Sequence, residues 1–179
     1  MRWLTLATTY LILFIVYFRL LLKPGRTPWQ RVTVYTSLGY LIVVAWLVFA
    51  PVGLQLPDSF KQLSYFHGVP YNLHPLVHVD LEFLANIALT IPLGVYLYLF
   101  KPRLAGWQVV LLALVPGCLI ESVQFCSDLL VHTARVADID DIITNTSGVL
   151  VGYLAVWLAE FTPLTGLVKH FSLVPANNN

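Results

Sequence analysis

The stretch RVADIDDIITNTSGVLVG, residues 135–152, opens with charge and runs into an apolar segment that carries glycines at helical spacing. Read as one helix, Asp138, Asp141, Asn145, Gly148 and Gly152 advance by alternating steps of three and four residues, so they share one face. That face is acidic at its start and bare at its end. A charged group inside a spanning helix is costly, by roughly 2.5 to 3.5 kcal/mol for a mid-helix aspartate, so such a stripe normally faces a partner helix, a cavity or a binding site.

The surrounding sequence places this helix in a membrane. Of the 179 residues, 58% are hydrophobic and only 11% charged, where a soluble domain carries about a quarter. Mean hydropathy is +0.77, and the charges collect between apolar runs. Five runs approach the roughly 20 residues that a bilayer requires: Trp3 to about Leu22, Thr33 to Ala50, Asp80 to Phe100, Trp107 to about Phe125, and Ile139 to Leu158. The expected fold is therefore an all-α integral membrane protein, a bundle of about five transmembrane helices, with residues 1–179 as one domain. No cleavage signal follows the first run, so a removable signal peptide is not expected. Between the second and third runs, Val52 to Val79 is broken by Gly53, Pro57, Gly68, Pro70 and Pro75 and reads as a loop resting on the membrane. Cys118 and Cys126, about 12 Å apart on one helix, cannot pair and read as small apolar residues. A net charge of +1 without a basic stripe excludes a nucleic-acid partner, and no cofactor is expected.

Lysine and arginine set the expected orientation, because cytoplasmic loops retain them. Arg19, Lys23, Arg26, Arg31, Lys101 and Arg103 fall in the first and third linkers, whereas the second and fourth hold only Lys61 and Arg135. This puts the N-terminus outside and the tail, residues 160–179, in the cytoplasm. Asp58, Asp80, Glu82, Asp128, Asp138, Asp140 and Asp141 then gather on the outer side.

Two further helices carry polar faces. Glu82, Asn86, Thr90 and Gly94 repeat every four residues in the third, and Gly117, Glu121, Gln124 and Asp128 recur at four, three and four in the fourth. With the first stripe they outline an outer-face polar pocket over a floor of closely packed glycines, Gly94, Gly117, Gly148 and Gly152. Plainer roles stand beside this reading. Asn86, Gln124 and Asn145 serve equally as interhelical hydrogen bonders. Asp138 and Asp140 serve as helix caps. Glu121 serves as a salt-bridge partner of Arg135. His74, His78 and Asp80 make a weak zinc pattern, and Asp138, Asp140, Asp141 and Glu82 a weak site for a divalent cation; no metal is expected.

Over residues 71–153 these positions together resemble the VanZ-like family of bacterial membrane proteins, whose best-known member lends low-level resistance to teicoplanin, a lipid-bearing glycopeptide antibiotic. The resemblance rests on Asn72, Leu73 and Pro75; on Asn86, Pro92 and Gly94; on Glu121 and Gln124; and on Arg135, Asp138, Asp141, Asn145, Gly148 and Gly152. His74 before Pro75, and Leu76 where an aromatic is common, depart from the family pattern. The resemblance implies a bacterial envelope protein.

Two functional readings follow. In the first, Glu82, Asn86, Glu121, Gln124, Arg135, Asp138, Asp141 and Asn145 line a pocket for a lipid-linked or anionic envelope component, or for the lipoglycopeptide itself. The Arg135 guanidinium anchors a carboxylate or phosphate. In the second, Glu121 or Asp141 acts as general base and Arg135 stabilises developing charge in a membrane hydrolase or transferase. No Gly-x-Ser-x-Gly or His-Glu-x-x-His motif accompanies that reading. A transporter, which lacks the paired repeats here, or a structural bundle comes third.

Overall fold

The computed structural model describes residues 3–50, 63–76, 81–131 and 136–174. Arg135, His78, Asp80, Asp58, Lys61 and Asn177 to Asn179 lie outside the described residues. Five helices are long and apolar enough to cross a membrane: α1 (Leu4–Leu21), α2 (Pro28–Phe49), α3 (Leu81–Phe100), α4 (Gly106–Val131) and α5 (Ile139–Ala159). A short α6 (Thr165–Phe171) follows. The protein is an all-α, multi-pass membrane bundle.

Several boundaries differ from the sequence expectation, each for a local reason. α2 starts at Pro28, ahead of Arg31, because Thr27 caps it: the Thr27 hydroxyl accepts from Gln30 N–H and the Gln30 side chain accepts from Thr27 N–H. α4 continues past Phe125 to Val131, since Ser127 is buried and shares a 2.8 Å hydrogen bond with Thr5 of α1. The segment after residue 160 is no simple tail. α6 tucks beneath α2, with Thr33 Oγ1 donating to Phe171 O at 2.7 Å and Leu173 N–H donating to Leu99 O at 2.8 Å.

The region expected to be loop contains a small sheet. Strands β1 (Ser64–Phe66) and β2 (Val69–Asn72) pair antiparallel, and β3 (Ala137–Asp138), directly before α5, joins β2 in parallel with Asn72 opposite Asp138. His67 at φ +49° and Gly68 at φ +84° form the two-residue hairpin turn, in which both central residues take positive φ. The sheet lies over the start of α5 and the adjoining part of α4.

α3 and α5 form the central pair and run in the same direction, matched from Asn86 and Asp141 at one end to Tyr98 and Tyr153 at the other. Their backbones nearly touch. A Cβ on Gly152 would collide with Ile91 O, one on Gly148 with Ile87 O, and one on Gly94 with Val149 O. Lipid tails are as apolar as leucine, so association in a bilayer relies on such close approach and on interhelical hydrogen bonds. Pro92 and Pro116 both sit inside continuous helices, as spanning helices tolerate.

Candidate functional site

Every described Asp and Glu except Glu160 lies at one end of the bundle, where α3 and α5 begin and α4 finishes. This acidic end is built outward from the residue that caps α5. Asp138 occupies the N-cap with extended backbone, and its carboxylate accepts from Asp140 N–H at 2.8 Å. The same carboxylate accepts from Asn72 Nδ2 at 3.0 and 3.1 Å. Its backbone N–H donates to Glu121 Oε2 of α4 at 2.9 Å. One residue therefore ties helix, sheet and α4 together.

The loop after β2 is fastened to the same place. Asn72 Oδ1 accepts from His74 N–H at 2.9 Å, an Asx turn that folds the chain back at Pro75. Leu76, at φ +60°, donates its N–H to Asp140 Oδ1 at 2.7 Å. A non-glycine residue in the left-handed region is uncommon, and here the Asp140 bond offsets its cost.

Between these elements lies a cavity of about 430 Å³. Its walls are apolar and aromatic, with Phe66, Tyr71, Leu73, Phe125 and Ile142 among them. Phe125 meets Phe66 and Tyr71, each with ring centroids 6.2 Å apart. Polar atoms come from Asn72, Glu121, Ser122 and Asp138. Glu121 is only 5% exposed, although it belongs to a spanning helix. A pocket of this size, mostly apolar with a few converging polar groups, is the common form of a small-ligand site.

Glu121 and Asp138 thus meet at the cavity. Asp141 lies beside it on the α3 seam, accepting from Asn86 Nδ2 at 2.6 Å, with Glu82, Asp138 and Asp140 near enough for their charges to act on it. Glu82 itself is exposed in the first turn of α3. Asn145 is buried deeper, where Gly117 of α4 packs against Ile142 and Asn145 of α5. Gln124 faces α2 and donates to Val48 O at 3.1 Å. His74 takes part through its backbone, while His78, Asp80 and Arg135 lie outside the described residues. Among the described residues, no group of three or more His, Cys, Asp or Glu is arranged to hold a metal ion.

The pocket also has walls that the helical stripes do not contain. Phe66, Tyr71 and Asn72 reach it through the sheet, and Ser122 and Phe125 flank Glu121 on α4. Asn72 was legible in the family resemblance; for Phe66 and Tyr71 the only local signal is the turn at Gly68 between them.

Fold and site define a class: a five-span membrane protein with a carboxylate-edged, aromatic pocket where a small sheet covers the start of its last span. A family model described as VanZ/LLP1 matches residues 37–160, and the chain belongs to the VanZ/LLP1 family. No curated protein and no solved structure matches the chain.

Proposed function

We propose that this protein works in a bacterial cell envelope, where its acidic-end pocket binds the polar head and adjoining apolar part of a lipid-linked envelope component, and so contributes to resistance against lipoglycopeptides of the teicoplanin type. The observation that carries the reading is the cavity itself, with aromatic walls leading to Glu121, Ser122, Asn72 and Asp138 at one end of a spanning bundle. Such a lining suits an amphiphile. The described polar groups favour hydroxyl, amide or ammonium donors on the ligand. Anchorage of an anionic group would fall to Arg135, on the linker before β3.

The acidic end faces outward in this reading. Lys23, Arg26, Arg31, Lys101, Arg103 and Lys169 occupy the opposite end, which the retention of basic residues assigns to the cytoplasm. A tag on the N-terminus that is reachable only from inside would reverse this orientation.

The test is susceptibility to a lipoglycopeptide in cells that depend on this chain, at matched protein level. Glu121→Gln keeps an acceptor for Asp138 N–H and removes the charge, whereas Ser122→Trp fills the cavity from an exposed wall position. Both are expected to abolish protection. Full protection by both variants would remove the pocket from the function. Turnover of a lipid phosphate by the purified protein, lost in Glu121→Gln, would replace binding with the hydrolase or transferase reading.

A further inference from the structure

At the end opposite the carboxylates, the linker between α1 and α2, the end of α3 and helix α6 enclose a second cavity, of about 820 Å³. Lys23, Arg26, Lys101, Lys169 and His170 line it, and among the described residues no lining residue is acidic. The retention of basic residues in cytoplasmic linkers accounts for lysine and arginine near this end. It does not account for their convergence on one concavity, nor for a segment some 140 positions further along that adds a lysine and a histidine to it.

That second contribution is structurally enforced. Gln30 Nε2 donates to Ser172 O at 2.9 Å, Thr33 Oγ1 donates to Phe171 O, and the Trp29 and Phe171 rings meet edge to face at 5.2 Å. These contacts hold α6 against the start of α2 and deliver Lys169 and His170 to the wall. Arg26 donates to Leu20 O, which fixes the linker across from them. Like charges gathered in a concave site with low-dielectric walls focus a positive potential that an anion relieves. Lys23 follows the last turn of α1 and Lys101 follows α3, so the cavity lies where the spans leave the apolar layer.

We infer that this cavity binds a phosphate-bearing anion, with the headgroup of an anionic phospholipid as the source its depth favours. Lysine ammonium groups on flexible stems and one arginine fork are the donors that phosphate oxygens take. The inference is independent of the pocket at the acidic end.

The full-length protein in a neutral detergent tests it, with thermal unfolding followed while phosphatidylglycerol, phosphatidylcholine or glycerol 3-phosphate is titrated in. Phosphatidylglycerol is expected to raise the unfolding temperature saturably, and phosphatidylcholine is not. Lys101→Gln and Lys169→Gln, both at exposed positions, should each weaken phosphatidylglycerol binding roughly fivefold. Arg103→Gln, at the same end but outside the cavity lining, should leave it unchanged. Equal stabilisation by the two lipids, unchanged binding in both lysine variants, or an equal loss in Arg103→Gln would overturn the inference. Saturable stabilisation by glycerol 3-phosphate, lost in the lysine variants, would support the phosphate site and assign it to a soluble ester. A variant that fails to fold is replaced by its single-site arginine version, Lys101→Arg or Lys169→Arg, which should retain binding.

Discussion

Two helix pairs in this bundle are held by different means. α3 and α5 meet through glycine, backbone against backbone, whereas α1 and α2 meet through side chains: Tyr17 donates to Ser37 at 3.1 Å, Tyr10 to Ile42 O at 3.3 Å, and Trp3 lies 5.6 Å from Trp46. Much of α1 stays exposed in the isolated chain, Phe14 by 64%, as suits a helix that faces lipid. The family match begins at residue 37, so it omits α1 and includes the whole glycine seam. Close backbone packing is thus confined to the pair that includes α5, the helix whose start carries the site. The Asp138 junction and one wall of the pocket belong to α5 of the close-packed pair, with α4 and the sheet completing the pocket, and the looser pair forms a flank that reaches the site's surroundings through Thr5 and Ser127.

Enlarging one glycine in each pair tests the two modes of packing most directly. At Gly152 even a methyl group would run into Ile91 O and lie 3.0 Å from Val95 N, and no rotamer change moves backbone aside. Gly152→Leu is therefore expected to cost roughly 3 kcal/mol or more and to yield little folded protein. On α2, a Cβ added at Gly39 would have nothing within 4 Å, and Gly39→Leu should leave stability unchanged or raise it by up to about 1 kcal/mol through helix propensity. Thermal unfolding of the two purified variants in one detergent checks both. Equal loss in both would mean that the seam has no special standing.

The same contrast explains what could be read from the sequence. Spans follow from run length alone, and the glycine stripe follows from spacing, because both are local patterns in one segment. The start of α2 was also legible, in Thr27, Pro28 and Gln30, but Arg31 interrupts the apolar run and hides it. Ser127 and Asp128 hide the end of α4 in the same way. The sheet is harder. β1 and β2 carry a turn signal at Gly68, yet Pro70 argues against a strand, and β3 is two residues whose partner lies far back in the chain. No periodicity encodes that pairing. It is also the pairing that brings Phe66, Tyr71 and Asn72 to the cavity, so the carboxylates of the site were visible in advance and its aromatic walls were not.

An intermediate effect is expected at the junction itself. Asp138→Ala removes the cap on α5 and the acceptor for Asn72 together, at a cost of about 1 to 2 kcal/mol. Asn72→Ala removes the second contact and the Asx turn. If the two side chains act through each other, the double variant loses less than the sum, with a coupling of at least about 0.5 kcal/mol. Unfolding temperatures of the four proteins give that coupling directly. Simple additivity would show that the sheet and the cap are held independently, and that Asp138 is no junction.

The smallest effect belongs to the side-chain-held pair. Tyr17→Phe deletes one buried hydroxyl and its bond to Ser37, while Ser37 keeps its own bond to Val34 O at 2.9 Å. Interhelical hydrogen bonds in membranes average about 0.6 kcal/mol, since a polar group freed there finds another partner. Serine already has that partner. The expected loss is therefore at or below about 0.6 kcal/mol, with lipoglycopeptide protection unchanged because the bond lies away from the acidic-end pocket. A larger loss, or a loss of protection without a loss of stability, would mean that α1 and α2 set the shape of the pocket from a distance, and the division between a rigid pair and a flanking pair would fall.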